Sequence, residues 1–444
     1  MLLAITDRSA RGIAATLSRM ITAGELVAGD RLPPVRTLAE GLAVSPTTVS
    51  EAWQVLGEVG AIATRGRLGT FVAGPSTPTA PRRYRTVTDG GGHFALDLST
   101  GTPDPDLLPD LSRAMARVSR RSLTTSYLDD PVLPVLREVL LERWPFQPEA
   151  LTVVDGAMDA LDRLCTTLVR LGDRVVVENP TFPPLLDLLE QIGAEVIGVE
   201  LDDEGIVPAS LAAALVTDPV VLFTQPRAHN PLGISASPAR VASLAALIEP
   251  RRTLVVEDDH AGDIATAGLA SFGAHLPTRT VTISSFSKSH GPDLRLAAVG
   301  GAGEPIMKMA RRRILGAGWS SRLLQAVLAD LLVDPATVAS IAAARATYAQ
   351  RRQAFGQALT THEVAFTGTD GINMWVQVYE ERSAQLALAA RGIGVAPGRP
   401  FEVTPFPKHH LRLTVGLVRT DIDALAAQIG AASRPATPGH PTTR

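Results

Sequence analysis

The hydrophobic pattern of residues 10–72 predicts three short helices followed by a β-hairpin. On the first helix, apolar side chains at helical spacing form a stripe made by Ile13, Leu17, Met20 and Ile21. A second helix is predicted over residues 35–41. A third begins after the N-cap Ser45, with a proline in its first position, and runs to Leu56. Residues 61–72 form the hairpin, which turns at an Arg-Gly-Arg sequence.

A different pattern begins at residue 94, where short runs rich in Val, Ile and Leu alternate with amphipathic helical stretches. The predicted strands are residues 151–154, 174–177, 195–199, 220–224, 253–257 and 280–284. Strands separated by helices in this way are typical of a mainly parallel sheet covered by helices. The predicted fold class of this part is therefore α/β.

Residues 75–93 separate the two patterns. They are rich in Pro, Gly and polar residues and lack the apolar side chains that a core needs, so they predict a flexible linker. We therefore expect an N-terminal domain over residues 1–74, this linker, a larger domain over residues 94–433 and a frayed tail over residues 434–444.

Composition places the chain among globular proteins. It has 444 residues, of which 45% are hydrophobic and 20% charged, with a formal charge of -3, so its global charge gives no argument for nucleic acid. Cys165 is the single cysteine, so no internal disulfide is expected, and its apolar helical surroundings predict a buried thiol. No apolar run reaches the roughly 18 residues of a membrane span. We expect a cytoplasmic protein with no membrane partner.

Lys288 is unusual because the chain has nearly all its cations as arginine. Only Lys308 and Lys408 are also lysines, although Lys and Arg together number 42. Lys288 follows the last predicted strand, and strand ends carry the chemistry of α/β folds. Arginine cannot replace a lysine whose amine must lose its proton and attack a carbonyl. Lys288 is therefore a candidate Schiff-base residue, and the alternative is a surface lysine left by arginine-rich codon usage.

Other segments at strand ends have side chains that would suit one cofactor. Gly156 and Ala157 open a helix whose amides could bind phosphate, and Phe182 could stack on a ring. A carboxylate at Asp258 or Asp259 could keep a pyridine nitrogen protonated. The remaining candidates are Asn230, Ser285, Ser287, Arg295 and Arg412. Each has an ordinary structural explanation on its own, and their order and spacing favour a common site.

The N-terminal helices suit insertion into the major groove of DNA, because a short turn joins two helices and the second begins with hydroxyl residues. The residues placed to meet bases or phosphates are Arg36, Ser45, Thr47, Thr48, Arg65 and Arg67. From this pattern alone, a helical protein-interaction module is about equally supported.

Three sequences in this region carry a resemblance: GDRLPPVRTLA at residues 29–39, VSPTTV at residues 44–49 and GTFV at residues 69–72. In this order they resemble the winged helix-turn-helix of the GntR family of bacterial transcription regulators. The resemblance implies double-stranded operator DNA as a partner. It places Arg36, Ser45, Thr47, Thr48 and the wing residue Gly69 near that DNA.

The segments between Gly156 and Arg412 together resemble the fold-type I aminotransferases, which depend on pyridoxal 5'-phosphate. The resemblance implies Lys288 as the Schiff-base lysine, Asp258 on the pyridinium nitrogen and Asn230 on the ring hydroxyl. The residues implied for the phosphate are Ser285, Ser287, Arg295 and the loop of Gly156 and Ala157. Phe182 would stack on the ring, Arg412 would bind an effector or substrate carboxylate, and Tyr127 would reach the neighbouring subunit's phosphate in a homodimer. No metal is expected.

The order of the two domains is similar to that of the MocR subfamily, whose members use the cofactor site as a sensor. The resemblance implies a transcription regulator that binds pyridoxal phosphate and senses the cofactor or a small amino compound. Two alternatives remain open: an active aminotransferase with an accessory DNA-binding domain, and a repressor whose larger domain is only a dimerisation scaffold.

Two residues depart from the family pattern. His260 stands where a tyrosine usually helps to hold the ring hydroxyl, and Met158 stands where glutamine is frequent. Imidazole can still donate a hydrogen bond, but its ordinary pKa is ~6.5 rather than ~10. We therefore expect His260 to take part in cofactor binding. Catalysis is not expected as the main role, and residual transaminase activity stays open.

Overall fold

The structure is a computed structural model of the chain. It describes residues 5–22, 25–58, 61–64, 66, 69–73, 82–88, 94–118 and 129–435.

The N-terminal elements follow the predicted order. They are α1 (Ala10–Thr22), α2 (Val35–Leu42), α3 (Pro46–Glu58), β1 (Ile62–Thr64) and β2 (Thr70–Val72). The two strands pair antiparallel, as the predicted hairpin requires. Ser45 Oγ accepts the backbone N–H of Thr48 at 3.1 Å, which confirms the predicted N-cap of α3. The inward faces of the three helices form one core, in which Val49 and Leu56 are buried.

The larger region contains a central sheet and its covering helices. The first elements are α4 (Arg82–Thr88), β3 (Leu96–Asp97), α5 (Ser112–Val118), α6 (Pro134–Arg143), β4 (Ala150–Val154), α7 (Ala157–Leu168), β5 (Arg174–Asn179), α8 (Pro183–Ile192), β6 (Glu195–Asp202), β7 (Gly205–Ile206) and α9 (Pro208–Leu215). The next are β8 (Val221–Thr224), α10 (Pro238–Ile248), β9 (Leu254–Asp259), β10 (Thr280–Ser285), β11 (Ala297–Gly301), α11 (Gly303–Ile314) and α12 (Arg322–Val333).

The last elements build a smaller layer. They are α13 (Pro335–Thr361), β12 (Phe366–Thr367), β13 (Asn373–Val378), α14 (Glu381–Ala389), β14 (Ile393–Gly394), β15 (Ala396–Pro397), β16 (His409–Thr414) and α15 (Ile422–Ser433). Among the residues described here, no single helix is both long and apolar enough to cross a membrane, although α12 and α13, bent by 76° at their junction, meet that test as a pair.

The eight-stranded sheet has the order β4-β11-β10-β9-β8-β5-β6-β7. Neighbouring strands from β6 to β10 are parallel, and β7 and β11 are antiparallel to their neighbours. The prediction of a mainly parallel sheet is confirmed. Alternate side chains of β5 enter cores on opposite faces, Val175 and Val177 on one face and Val176 on the other. Cys165 lies in the first of these cores, as a buried thiol.

A second sheet, ordered β12-β13-β16-β15, packs with α13, α14 and α15 around its own core. Arg412 lies on β16, opposite Trp375 of β13 and Ala396 of β15. Two sheets with separate cores thus meet at the carboxyl end of the large sheet, because Asn373 at the start of β13 contacts Asn230 after β8.

The stretch for which the sequence predicts a flexible linker contains the helix α4. Its backbone N–H groups at Arg83 and Tyr84 donate to the two carboxylate oxygens of Asp187 on α8, at 3.1 and 2.9 Å. A carboxylate that accepts the first-turn N–H groups of a helix stabilises its N-terminus. The sequence could not predict this helix, because the stabilising residue is 104 positions away. The domain boundaries themselves stay predictions.

We expect Asp187→Ala to release α4 from α8. Asp187 is 5% exposed, and losing a helix-capping carboxylate costs about 0.5–2 kcal/mol. Limited trypsin digestion should then cut faster after Arg82, Arg83 and Arg85. The control is Glu190→Ala on the same helix, which removes only an exposed ion pair with Arg82. Equal cleavage rates in both variants would contradict the assigned role of Asp187.

Candidate functional site

The carboxyl ends of five strands bring the predicted site residues to one edge of the large sheet. Asp258 is the penultimate residue of β9. The other four residues follow their strands: Gly156 after β4, Phe182 after β5, Asn230 after β8 and Lys288 after β10. Because β4, β5, β8, β9 and β10 point the same way, these ends meet in the crevice where open α/β sheets bind ligands.

Lys288 contacts His260 directly. Its Nζ lies 2.8 Å from His260 Nδ1 and 3.3 Å from the His260 carbonyl oxygen. Burial and the neighbouring lysine hold the pKa of His260 well below its usual value, so the imidazole is neutral. Burial also lowers the pKa of Lys288 to about 8, against the opposing attraction of Asp258. The site therefore holds an amine that loses its proton far more easily than an exposed lysine.

The structure distinguishes the two adjacent carboxylates of β9. Asp259 forms a bidentate pair with Arg227, with both N–O distances 2.7 Å, so its charge is already compensated. Asp258 is buried and accepts one hydrogen bond, from Gln225 Nε2 at 2.8 Å. Burial raises the pKa of Asp258 to about 6, and the Gln225 bond opposes that rise. Asp258 thus keeps one oxygen for a ligand.

Gln225 is a positioning residue that the sequence analysis missed. Its side chain donates to Asp258 and accepts the backbone N–H of Asn230 at 2.9 Å. It therefore fixes both the carboxylate and the loop that carries the amide. The available signal was its place, a polar residue directly after the buried strand β8.

The buried carboxylate of Glu178 contacts the backbone of Gln225. Glu178 accepts the Thr224 hydroxyl at 2.6 Å and the Gln225 backbone N–H at 2.8 Å, and its Oε2 lies 3.2 Å from His229 Nε2. Buried carboxylates need such donors. This contact orders the start of the loop that holds Gln225 and Asn230.

A helix N-terminus and an arginine lie at one end of the site. Gly156 is the N-cap of α7 with φ of 98°, and a Cβ there would lie 3.6 Å from Arg295 Cζ. Arg295 has the left-handed φ of 48°, and no ion pair of its guanidinium is found among the residues that the structure describes. Ser285 is buried and its Oγ accepts the Ser287 backbone N–H at 3.4 Å. First-turn amides beside an unpaired guanidinium suit a phosphate group.

Arg412 lies at the other end, where two protein acceptors hold it. Its guanidinium donates to the Ser99 carbonyl oxygen and to Asn373 Oδ1, the latter at 3.5 Å. Asn373 Nδ2 in turn donates to Asn230 Oδ1 at 3.3 Å. Burial lowers the pKa of Arg412 to about 10, so it stays protonated at neutral pH. Asn373 therefore links Arg412, the predicted effector-binding residue, to Asn230, the predicted contact of the ring hydroxyl.

The remaining predicted residues are placed as follows. Phe182 is half-buried at the N-cap of α8, and Ala157 and Met158 begin α7. Tyr127, Arg65 and Arg67 lie outside the described residues. Arg36 and Thr47 are exposed near the starts of α2 and α3, and Gly69 has φ of 106° beside Arg31. Ser45 Oγ contacts Thr48 Oγ1 at 2.8 Å, so both hydroxyls remain together at the start of α3.

Three buried polar atoms test whether a pyridoxal phosphate group fits. Asp258 Oδ1, His260 Nε2 and Arg412 Nε have no hydrogen-bond partner in the part of the chain that the structure describes. Unpaired buried polar atoms are costly and normally absent. Near the Lys288 amine, Asp258 Oδ1 is an acceptor that matches the pyridinium nitrogen and the neutral His260 ring matches the ring hydroxyl, while the Arg412 cation matches the carboxylate of an amino compound. The residues present therefore fit the group.

Comparison with known proteins gives two matches to family models. Residues 95–429 match "Aminotransferase class I and II", and residues 9–72 match "Bacterial regulatory proteins, gntR family". The vitamin B6 salvage pathway transcriptional repressor PtsJ of Salmonella typhimurium is 35% identical over 434 residues, 96% of this chain and 98% of that protein. The HTH-type transcriptional regulator TauR of Rhodobacter capsulatus is 28% identical over 87% of this chain and 88% of its own.

Solved structures with the same fold are aminotransferases. The α-aminoadipate aminotransferase LysN of Thermus thermophilus has a TM-score of 0.71 at 22% identity, covering 80% of this chain and 94% of its own. The kynurenine aminotransferase of Pyrococcus horikoshii has a TM-score of 0.72 at 22% identity, covering 81% and 94%. At this identity the likeness concerns the fold alone.

We expect the rate of covalent pyridoxal phosphate uptake to rise with pH around an apparent pKa of about 8. Only the neutral amine attacks an aldehyde, and the neutral fraction of Lys288 grows as pH rises through its lowered pKa. Stopped-flow absorbance between pH 6 and 10 measures this rate. Lys288→Ala should abolish the visible band and Lys308→Ala should retain it. A profile that keeps rising to the ordinary lysine pKa of ~10.4 would contradict the buried amine.

Gln225→Leu should weaken pyridoxal phosphate binding about tenfold at neutral pH, in the range expected for a lost hydrogen bond to a buried charge. Without the Gln225 donor the pKa of Asp258 rises further, so more of the carboxyl is protonated and fewer molecules can accept a pyridinium N–H. The loss, relative to the wild type at the same pH, should shrink at higher pH. Dissociation constants and melting temperatures measured together separate this effect from misfolding. Gln377→Leu, in the second sheet, is the matched control.

Proposed function

The chain belongs to the MocR subfamily of GntR-family transcription regulators, and we propose that it binds pyridoxal 5'-phosphate at Lys288 and senses this cofactor or a small amino compound. It is a transcription regulator with an aminotransferase-like domain. The observation that carries the proposal is the set of unpaired buried atoms on Asp258, His260 and Arg412 near the Lys288 amine, within the described residues.

Each site residue has one task in the proposal. When bound, pyridoxal phosphate supplies an aldehyde for an amine and an electron-withdrawing ring. Asp258 Oδ1 accepts the ring N–H while Gln225 holds the other oxygen. Since His260 Nδ1 accepts from Lys288, the neutral imidazole carries its proton on Nε2, which donates towards the ring hydroxyl together with the Asn230 amide. Phe182 covers the ring.

The phosphate and effector ends complete the site. The first turn of α7, with Gly156 and Ala157, holds the phosphate together with Ser285, Ser287 and Arg295. Arg412 binds the carboxylate of an amino compound bidentately. The assembly in this proposal is a homodimer, as the family resemblance implies, and in it Tyr127 would serve the phosphate site of the neighbouring subunit. The 35% identical relative is a repressor of vitamin B6 salvage, which favours the cofactor itself as the effector.

The N-terminal domain places α3 in the major groove of an operator. Arg36, Arg65 and Arg67 contact phosphates, while Ser45, Thr47 and Thr48 lie at the groove edge and Gly69 lets the wing approach the backbone. Ligand binding changes this contact because the ligand prefers one of two arrangements of the chain. The regulatory role is favoured over turnover by His260, which replaces the phenol expected beside the ring hydroxyl.

We expect the protein to bind its own upstream DNA with a strong salt dependence. Arg36→Ala should weaken binding and lower the slope of log K against log salt by about 0.9, one phosphate contact. Arg251→Ala, an exposed arginine of the larger domain, is the charge-matched control. Pyridoxal phosphate should change the DNA affinity of the wild type and not that of Lys288→Ala. Fluorescence anisotropy measures both effects.

Two results would count against this function. One is failure to bind the upstream DNA at low salt. The other is transamination of amino acids with 2-oxoglutarate at ordinary enzyme rates, about 1–10³ per second, which would favour an active aminotransferase with an accessory N-terminal domain.

A further inference from the structure

One helix, α14, belongs to two hydrophobic cores. Ala384 and Leu388, four positions apart on one side of the helix, pack into the core of the second sheet. Leu386, on the opposite side, is 2% exposed and belongs to the core of the N-terminal helices. Both α1 and α3 contact α14. The outward face of α14 is therefore covered by the DNA-binding domain of the same chain.

The base of α14 is tied to the segment that follows β15. Glu381, the first residue of α14, accepts the backbone N–H groups of Gly398 and Arg399 at 2.9 and 3.0 Å. Gln385 Nε2 donates to the Val395 carbonyl oxygen at 3.4 Å. Movement of residues 398–402 would therefore be transmitted to the helix that carries Leu386.

The same segment holds the helix α4, which leads from the N-terminal domain. Arg83 Nη1 donates to the carbonyl oxygens of Pro400 and Glu402, at 3.1 and 2.6 Å. Residues 398–402 thus contact both attachments of the N-terminal domain, α14 through Glu381 and α4 through Arg83.

The ligand site also reaches this segment. The Arg412 guanidinium carbon lies 5.6 Å from the centre of the Phe401 ring, in cation–π geometry. The Thr181 backbone N–H, next to Phe182, donates to the Phe401 carbonyl oxygen at 2.8 Å. Through Asn373, Arg412 is also linked to Asn230. A ligand that engages Asn230 or Arg412 would change the contacts of Phe401.

We propose that the face of α14 around Leu386 is a docking surface for the chain's own DNA-binding domain, and that residues 398–402 couple this docking to the ligand site. The second part rests on the proposed function. Packed contacts shift between discrete arrangements rather than deforming continuously, so altered contacts at Phe401 change how firmly the domain is docked. Two attachments on one short segment give the ligand site a direct physical route to the DNA-binding domain.

Docking is tested first, without ligand or DNA, by hydrogen exchange in the full chain. Leu386→Asn places an amide in the shared core and should increase exchange in α1, α3 and α14. Leu323→Asn, the same change at an exposed leucine of α12, should leave those helices unchanged. Equal protection of α1 and α3 in the wild type and Leu386→Asn overturns the docking surface. Exchange that increases on dilution of the wild type would place the domain on a second copy and overturn docking within one chain.

Coupling is tested by the change in DNA affinity that pyridoxal phosphate produces. In the wild type we expect pyridoxal phosphate to change the DNA affinity by about 5- to 150-fold, the usual size of allosteric coupling. In Leu386→Asn and in Arg83→Met this change in affinity should fall towards onefold. Both variants should keep the visible band of the bound cofactor. An undiminished change in both variants overturns the coupling. If the wild type forms the band but its DNA affinity does not change, the proposed sensing and the coupling both fail, whereas the exchange experiment still decides the docking surface.

Discussion

The desolvation of the partly buried Lys288 amine is the constraint on which the site depends. A buried amine is stable only if its charge is compensated or its proton is lost. Here Asp258 supplies the compensation and His260 Nδ1 supplies an acceptor, while burial lowers the pKa of the lysine to about 8. Asp258 must itself stay ionised inside the protein, so Gln225 donates to it, and Glu178 orders the loop that carries Gln225. Each of these buried polar groups therefore needs a hydrogen-bond partner, from Asp258 to Gln225 and from Gln225 to Glu178.

Much of the architecture could be predicted from the sequence because its signals are local. Strands such as β5 and β10 are short β-branched runs, and the cap of α3 is set within four residues. The strand ends then placed Lys288 and Asn230 at one edge. The antiparallel strand β11 and the second sheet were not among the predicted elements. Strand β11 is a run of Ala, Val and Gly, and β12 and β15 have two residues each, whereas the six-residue strands β13 and β16 were missed.

Contacts between distant residues could not be predicted. The residue pattern alone left Asp258 and Asp259 equivalent, and the family resemblance chose Asp258. The pairing of Arg227 with Asp259 gives the structural reason for that choice. Gln225 reaches Asp258 across 33 positions, and Asp187 stabilises α4 across 104. His260 was predicted to take part in cofactor binding, and its contact with Lys288 shows how it can: a neutral imidazole that accepts from the amine has one N–H left, on Nε2. A tyrosine at this position would carry a phenol O–H, which can ionise with an ordinary pKa of ~10. The N–H of a neutral imidazole stays protonated and acts only as a hydrogen-bond donor.

The contact of the DNA-binding domain at Leu386 is weak enough for a ligand to affect. Burying one leucine contributes about 1.5–3 kcal/mol, and Leu386 is the residue of the larger region that enters the N-terminal core as described. Allosteric coupling energies are about 1–3 kcal/mol, so the two quantities are of the same size. The separate cores of the central sheet and of the N-terminal helices are far larger and would not yield to a ligand of that strength. A regulator that keeps its domains intact and changes only their contact therefore needs a small shared surface, and α14 provides one.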